Sequence, residues 1–296
     1  AGTAINSTDA NGTVAVGYAA LAALTEGVAN IAIGNNAGNE ISTGDNNTVI
    51  GFEAGSELKD DSNNTFLGSY AGFAIESSEN TFIGAEAGYG VQGTTVGSQN
   101  TAIGYRTMYS HTTANKNVAV GDQALQTITT GNSNVSIGMR ASQYNTVGSS
   151  TVHIGTEAGR YATGSSNTFV GTNAGKGGTT SAPFSSGQYN VAVGANALDA
   201  FTQGNLNVAV GYQALSAETI GISTVAIGDN AGVAQNFGSN GSTYNTMVGS
   251  GAGFWNVTGT GNTYLGAGAG TGASGQSNNN NTAVGNAALT SITTGI

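Results

Sequence analysis

The stretch NVAVGDQAL, residues 117–125, decides the fold, because close copies of it recur along the chain of 296 residues. Each copy begins with a short run rich in β-branched residues and ends that run in a glycine. Nine of the fifteen intervals between successive glycines are 17 residues long. A chain with such a fixed short period forms a solenoid, in which each repeat makes one coil. The sixteen glycines are Gly17, Gly34, Gly51, Gly68, Gly84, Gly104, Gly121, Gly138, Gly155, Gly171, Gly194, Gly211, Gly228, Gly249, Gly266 and Gly285.

The columns of the aligned repeat predict which side chains share a face. With each glycine as position 0, position −1 is Val, Ile or Leu and position −3 is Val, Ile or Thr in all sixteen units. Because strand side chains alternate between faces, these two positions share one face, which we predict to be the interior of the coil. Position −4 is Asn in thirteen units, which predicts a ladder of hydrogen-bonded amides between coils. Position +3 is Ala in fifteen units, which predicts a second, narrow strand.

Positions −2 and +4 exchange bulk with each other. Large side chains at −2 coincide with Gly at +4, whereas Leu or Met at +4 coincides with Ala at −2. Such exchange is expected where two columns share one closely packed space. We therefore predict an outer apolar seam that is buried against another copy of the chain. The seam consists of Val49, Phe66, Phe82, His153, Phe169, Met247, Tyr264, Leu21, Met108, Leu125, Leu198, Leu215 and Leu289.

The composition excludes several classes of protein. Only 7% of residues are charged, against roughly 25% in an ordinary soluble domain, yet no run approaches the roughly 20 apolar residues of a membrane helix. We therefore expect no membrane insertion in this segment. The net charge is −10 and the six Lys and Arg residues are scattered, so we expect no nucleic-acid partner. We expect residues 1–12 to be an N-terminal lead-in and residues 13–296 to be a single continuous β-solenoid domain of a longer fibre.

The strings NTAIGYRTM (100–108), NVAVGYQAL (207–215) and NVAVGDQAL (117–125) resemble the head repeats of trimeric autotransporter adhesins and related repeats of bacteriophage tail fibres. The resemblance covers essentially the whole chain, although the adhesin-head repeat is usually shorter. It implies an all-β fold, a parallel β-solenoid of the left-handed β-roll type, with about sixteen coils of roughly 17 residues. It also implies a homotrimer that projects from a cell surface or virion, and an extracellular structural or adhesive role rather than an enzymatic one.

Three other functions are weighed against the fibre segment. The chain stops within its repeat pattern, so the main alternative is a subunit of a self-assembling extracellular filament with end-to-end stacking. An ice-binding solenoid needs a regular exposed Thr array, and Thr occupies only eight positions of a row predicted to face inward. The fragment Val-Gly-x-x-Ala partly matches the repeat of hexapeptide-type acyltransferases. Those proteins need three hexapeptides per coil with apolar residues six apart, whereas here the apolar positions are −3, −1 and +3 and the remainder of the coil is polar.

The longer repeats point to candidate contact loops. Exposed aromatic side chains suit contact with a glycan or protein of a host surface. We expect no catalytic residue, metal site or cofactor, because neither histidine has ligands or a nucleophile at a suitable spacing. His111 is expected to be solvated and His153 to pack on the −2 row. The candidate contact residues in the loops are Tyr89, Phe184, Tyr189, Phe237, Tyr244 and Trp255.

Overall fold

The computed structural model describes residues 11–178, 180–182, 184–274 and 277–292, which contain strands and turns but no helix. In this part of the chain, therefore, no helix could cross a membrane. The prediction of an all-β parallel solenoid with about sixteen coils of roughly 17 residues is confirmed. The lead-in of residues 1–12 lies, apart from its last two residues, outside the described ranges. The strands are β1 Val14–Val16, β2 Ile31–Ile33, β3 Thr48–Ile50, β4 Thr65–Leu67, β5 Thr81–Ile83, β6 Thr101–Ile103, β7 Val118–Val120, β8 Val135–Ile137, β9 Val152–Ile154, β10 Thr168–Val170, β11 Val191–Val193, β12 Val208–Val210, β13 Val225–Ile227, β14 Thr246–Val248, β15 Thr263–Leu265 and β16 Thr282–Val284.

The chain forms two compact units, residues 1–147 and 148–296. The first unit contains β1 to β8 and the second contains β9 to β16. Within each unit the strands pair in parallel and in chain order, with equivalent repeat positions aligned, as Ala15 is with Ala32 and Ala192 with Ala209. Alignment of equivalent positions turns every sequence column into a physical row of side chains. The single continuous domain over residues 13–296 stays a prediction.

The two strand faces are the reverse of those predicted. Position −2 faces the interior, so that Phe66 is fully buried, whereas the neighbouring −1 residue Leu67 is 43% exposed. The same alternation recurs in the other strands; Val49 of β3, for example, is buried between two half-exposed neighbours. The prediction that positions −1 and −3 line the interior is wrong. The coil is closed by a turn that fills the space opposite the strand, so its interior admits only the single middle residue of each strand.

A left-handed turn follows each strand. Positions +2 and +4 have φ between +49° and +65° in every coil, even at non-glycine residues such as Glu53 and Leu125. Each such residue costs about 1 kcal/mol, but its amide then donates to a neighbouring coil. Glu53 N–H donates to the Asn35 carbonyl at 2.9 Å, and Gly55 N–H donates to the Ala71 carbonyl at 2.9 Å. The Ala column at +3 lies inside this turn, so the prediction of a second strand there is wrong.

The strand-ending glycine is required for two reasons. All sixteen have φ between +119° and +143°, a region that residues with a side chain rarely adopt. There is also no space for a side chain, since a Cβ at Gly104 would lie 2.6 Å from the carbonyl oxygen of Gly121 in the next coil. Glycine therefore sets how closely successive coils can stack.

The predicted Asn ladder is confirmed. Asn64 N–H donates to Asn47 Oδ1 at 3.0 Å, and Asn80 N–H donates to Asn64 Oδ1 at 2.9 Å. The second unit repeats the pattern, with Asn207 N–H donating to Asn190 Oδ1 at 3.0 Å. These amides are fully buried, so each bond satisfies a backbone donor that water cannot reach. The ladder is thus a structural element of the coil stack.

The exchange of bulk between positions −2 and +4 takes place inside the coil. A Cβ built at Gly72 would overlap ring carbons of Phe66, whose ring stacks on Phe82 with centroids 5.1 Å apart. In the coil of β7 the same space is filled from the other column, by Leu125 opposite Ala119, and both are fully buried. The two columns share one interior volume, which explains why no more than one of them is large in any coil.

The shared volume predicts strong coupling between Phe66→Ala and Gly72→Leu. Phe66→Ala alone leaves a cavity and is expected to lower the free energy of unfolding by about 3–5 kcal/mol. Gly72→Leu alone overpacks the coil and is expected to cost about 1–3 kcal/mol or more. The double variant copies the Ala119–Leu125 arrangement, so its cost is expected to be smaller than that of either single variant. Chemical denaturation followed by circular dichroism measures the three values; simple additivity would contradict a shared volume.

Candidate functional site

The outer strand face is the most extensive apolar feature of each unit. We define it as positions −1 and −3, which carry only Val, Ile, Leu and Thr. These side chains are half-exposed or exposed, Val16 at 54% and Leu265 at 48% for instance. Aromatic side chains such as Tyr18 and Tyr212 extend the apolar surface at position +1. A strand face without charges therefore remains open to solvent in the single chain.

The predicted seam residues do not contribute to that face. All of them are buried inside the coil except Leu289, which is 42% exposed close to the end of the described chain. The seam prediction is wrong for a physical reason: the −2 and +4 columns are packed against each other within one chain and cannot contact a second. Each strand does have an exposed apolar face, as the seam prediction supposed. The face consists of the residues at positions −1 and −3 and not of those at −2 and +4. The interior members are Val49, Phe66, Phe82, His153, Phe169, Met247, Tyr264, Leu21, Met108, Leu125, Leu198 and Leu215.

The predicted loop aromatics occupy different environments. Tyr189 and Tyr244 are 58% and 69% exposed, at equivalent left-handed positions before β11 and β14. Trp255 is more covered and contacts Phe254 edge-on, with ring centroids 4.7 Å apart. The remaining residues are partly covered: Phe184 stacks on Tyr161, Phe237 is half-buried, and Tyr89 lies among other rings. The loops therefore do not present one common aromatic surface.

An aromatic ladder runs along the first unit. We define it as Phe52, Tyr70, Phe73, Tyr89 and Tyr109. Phe73 stacks on Tyr89 with centroids 5.0 Å apart, and Tyr89 stacks on Tyr109 at 4.9 Å. Burial among these rings raises the pKa of Tyr89, so its phenol stays protonated at neutral pH. Of this group only Tyr89 is among the predicted contact residues. The sequence nevertheless contains a signal for the ladder, because three successive repeats have an aromatic residue at position +5, namely Phe73, Tyr89 and Tyr109.

An acidic groove lies beside the ladder at Phe73. It has a volume of about 250 Å³ and is open to solvent. Phe73 forms its apolar part, and every other lining side chain is polar, with three carboxyl groups and no base. The groove is lined by Asn36, Asn39, Glu40, Glu53, Ser56, Glu57, Phe73 and Gln92.

The groove is held in shape by hydrogen bonds from two amides. Gln92 Nε2 donates to Glu57 Oε1 at 2.7 Å. The Asn39 amide nitrogen, in the orientation that satisfies its neighbours, donates to the carbonyl oxygens of Asn36 and Ser56 at 3.1 Å. Glu57 is only 8% exposed, and its Oε2 has no hydrogen-bond partner among the described residues. The groove therefore contains a carboxylate oxygen that is still able to accept a hydrogen bond.

A buried polar cluster in the second unit was not identified from sequence. Glu218 is fully buried at position +7, where Ile41 and Leu58 stand in the first unit. Its carboxylate accepts hydrogen bonds from Gly221 N–H at 2.8 Å and from Gln235 Nε2 at 3.2 Å. These bonds come from its own and the next coil, which indicates a structural role. Position +7 can be counted directly from the strand-ending glycines, and Glu218 replaces an apolar residue there in a repeat of the regular 17 residues.

Both histidines are buried, so the expectation that His111 is solvated is wrong. His111 Nδ1 lies 3.0 Å from the Met108 carbonyl oxygen, and its ring contacts Phe82 edge-on. His153 occupies the −2 position, stacks on Phe169 at 4.7 Å and faces Gly159. Burial lowers the pKa of His111 to about 4 and that of His153 to about 3. Within the described ranges no cluster of His, Asp and Glu could hold a metal ion.

His153→Phe is expected to remove part of the acid sensitivity of the fold. The folded-state pKa of about 3 lies below the ordinary value near 6.5, so between these values only the unfolded chain gains the proton. The stabilising effect of the neutral ring is complete above pH 6.5 and declines by at most about 1.4 kcal/mol per pH unit below it. The variant, which places Phe opposite glycine as Phe169 does, should gain stability relative to the parent as pH falls from 6.5 to 4.5.

Chemical denaturation of both proteins across this pH range measures that difference. Parallel measurement at pH 8 is the control, since both proteins carry a neutral ring there. A stability difference independent of pH would contradict a neutral, buried His153.

Comparison with known proteins does not indicate what these surfaces bind. No model of a known protein family matches the chain, and no curated protein is significantly similar to it. The function must therefore be argued from the outer strand face, the aromatic ladder and the acidic groove.

Proposed function

We propose that this protein is a structural and adhesive segment of an extracellular fibre, on a cell surface or a virion, in which identical copies associate through their outer strand faces. The observation that carries the proposal is the exposed, uncharged strand face. Repeated aliphatic side chains such as Leu67 and Ile103, 43% and 37% exposed, would be costly to leave in water. The fibre role itself also draws on the resemblance of the repeat strings to adhesin and tail-fibre repeats.

The geometry of the face favours a second copy of the chain as its partner. Eight parallel strands spaced by about 4.8 Å make a strip roughly 35 Å long in each unit and only one short strand wide. Another copy presents side chains at the same spacing, so the two rows can interdigitate throughout. A closed ring of three copies would bury the strip of every copy around one axis, as the family resemblance implies. A filament subunit is the alternative, with end-to-end stacking in place of closure.

Leu67→Glu together with Ile103→Glu tests the proposed assembly. Both side chains lie on the outer strand face, in β4 and β6, so the two charges would be buried only if copies associate there. The unmodified chain should have the mass of a trimer in light scattering coupled to size-exclusion chromatography. The double variant should have the mass of a monomer and an unchanged circular dichroism spectrum.

Thr130→Glu is the matched control, because Thr130 is exposed in a turn of the same unit and away from the face. It should leave the trimer intact. A monomeric unmodified chain at micromolar concentration would contradict the proposal, and long polymers would favour the filament instead.

One observation restores ice binding as a second candidate. The Thr residues at −3 face outward, so the argument that they point inward no longer counts against it. Thr48, Thr65, Thr81 and Thr101 stand in four successive strands of the first unit. The neighbouring −1 row is aliphatic, however, so the face lacks a second column of hydroxyl groups. Under the fibre proposal the purified chain should show no thermal hysteresis in osmometry; clear hysteresis that is lost in Thr65→Tyr would favour ice binding.

A further inference from the structure

We infer that the acidic groove of the first unit, together with Phe73 of the aromatic ladder, is a binding site for a saccharide that carries no acidic groups. The inference deepens the proposed adhesive function and rests on it, since it gives the fibre a surface ligand. The site lies entirely within one unit and does not require a second copy. It is also separate from the outer strand face through which copies are proposed to associate.

The composition of the groove matches the two kinds of surface of a sugar ring. A pyranose has an apolar face of C–H groups and a rim of hydroxyl groups, so its site needs an aromatic wall and convergent polar groups. Phe73 supplies the wall, and its ring is held in place by stacking on Tyr89. The carboxylates of Glu40, Glu53 and Glu57 supply acceptors around it. The volume of about 250 Å³ is below the 300–1,000 Å³ usual for drug-sized ligands and suits a single ring with its neighbours outside.

The state of the carboxylates favours a hydroxyl-bearing ligand. Glu57 is more than nine-tenths buried, and while Gln92 occupies Oε1, Oε2 has no partner in the described structure. An oxygen without a protein partner is available to a ligand, and a ligand hydroxyl would donate a charge-assisted hydrogen bond to it. Glu40 and Glu53 likewise make no hydrogen bond or ion pair with any described residue. In the groove, therefore, the Glu57 side chain is held by Gln92, whereas Glu40 and Glu53 have carboxylate oxygens free to accept hydrogen bonds.

The charge of the groove decides the class of saccharide. Three carboxylates and no base line it, so uronic, sialic or sulfated sugars would be repelled. Lys59 is nearby, but its ammonium group pairs with Glu76 at 3.0 Å and does not line the groove. A metal ion is not favoured, since the described carboxylates and histidines form no cluster that could hold one. Neutral saccharides, or those bearing an amino group, remain as ligands.

Titration calorimetry on the full chain tests the site with defined probes. The probes are maltohexaose and cellohexaose as neutral saccharides, a chitosan hexamer as a cationic one, and an oligogalacturonate hexamer as an acidic one. At least one of the first three should bind, and the acidic hexamer should not. Phe73→Ala should weaken binding at least tenfold, because it removes the stacking wall. Glu53→Gln, at a half-exposed side chain that makes no internal bond, should weaken binding several-fold without affecting folding.

Tyr244→Ala is the matched control, because it removes an exposed aromatic ring from the second unit. It should leave binding unchanged. Loss of binding in Tyr244→Ala with retention in Phe73→Ala and Glu53→Gln would overturn the assignment, as would binding of the acidic hexamer alone or of no probe. Light scattering on the same preparations reports the oligomeric state separately. If the chain is a trimer but binds no saccharide, only the saccharide site is contradicted. If the chain is a monomer and binds a saccharide, only the proposed assembly is contradicted.

Discussion

The close approach of backbone to backbone at the strand-ending glycines is the constraint on which the rest of the fold depends. At Gly104 a side chain would collide with the carbonyl oxygen of Gly121 one coil further on, and the backbone there adopts a φ of +134°. Because this contact recurs in nearly every coil, equivalent residues are held in line from coil to coil. The alignment places Asn amides within bonding distance of one another and the rings of Phe73, Tyr89 and Tyr109 in stacking contact. One small residue at a fixed spacing thereby converts a sequence repeat into rows of equivalent side chains.

The narrow interior that results determines what the molecule must expose. The space shared by positions −2 and +4 has room for one large side chain, drawn either from the strand, as with Phe66, or from the turn, as with Leu125. The strand positions on both sides of the middle strand residue point outward, although they carry only Val, Ile, Leu and Thr. A solenoid of this kind leaves a row of half-exposed or exposed Val, Ile, Leu and Thr side chains on the surface of each unit. The same geometry that makes the coil thin therefore creates the face through which copies are proposed to associate.

The surface outside that face is mostly polar and uncharged, which makes its exceptions informative. With only 7% of residues charged, three carboxyl groups around one groove and an aromatic ladder beside them are an unusual local concentration. Parallel stacking explains how they come together, because residues distant in the sequence, such as Asn36 and Gln92, line one groove that spans four successive coils. A trimer would present three such grooves, and several weak contacts to one surface would reinforce each other.

The sequence by itself determined the number of coils, their period, the glycine positions, the Asn ladder and the pairing of bulk between positions −2 and +4. These features are encoded by residue type at a fixed spacing, and stacking preserves the spacing. Only the tertiary structure decided which strand face is inside. Alternation groups residues by face but does not show which face is inside. The −1 and −3 positions, with Val, Ile, Leu and Thr, look more like a core than the Ala-rich −2 position does. The turn decides which face is inside. Its residues at +2 and +4 have left-handed backbone conformations, and the turn thereby places the +3 Ala and the +4 Leu in the space opposite position −2. The groove was equally hidden, because its residues come from four coils and its loop is set by an insertion whose path no column predicts.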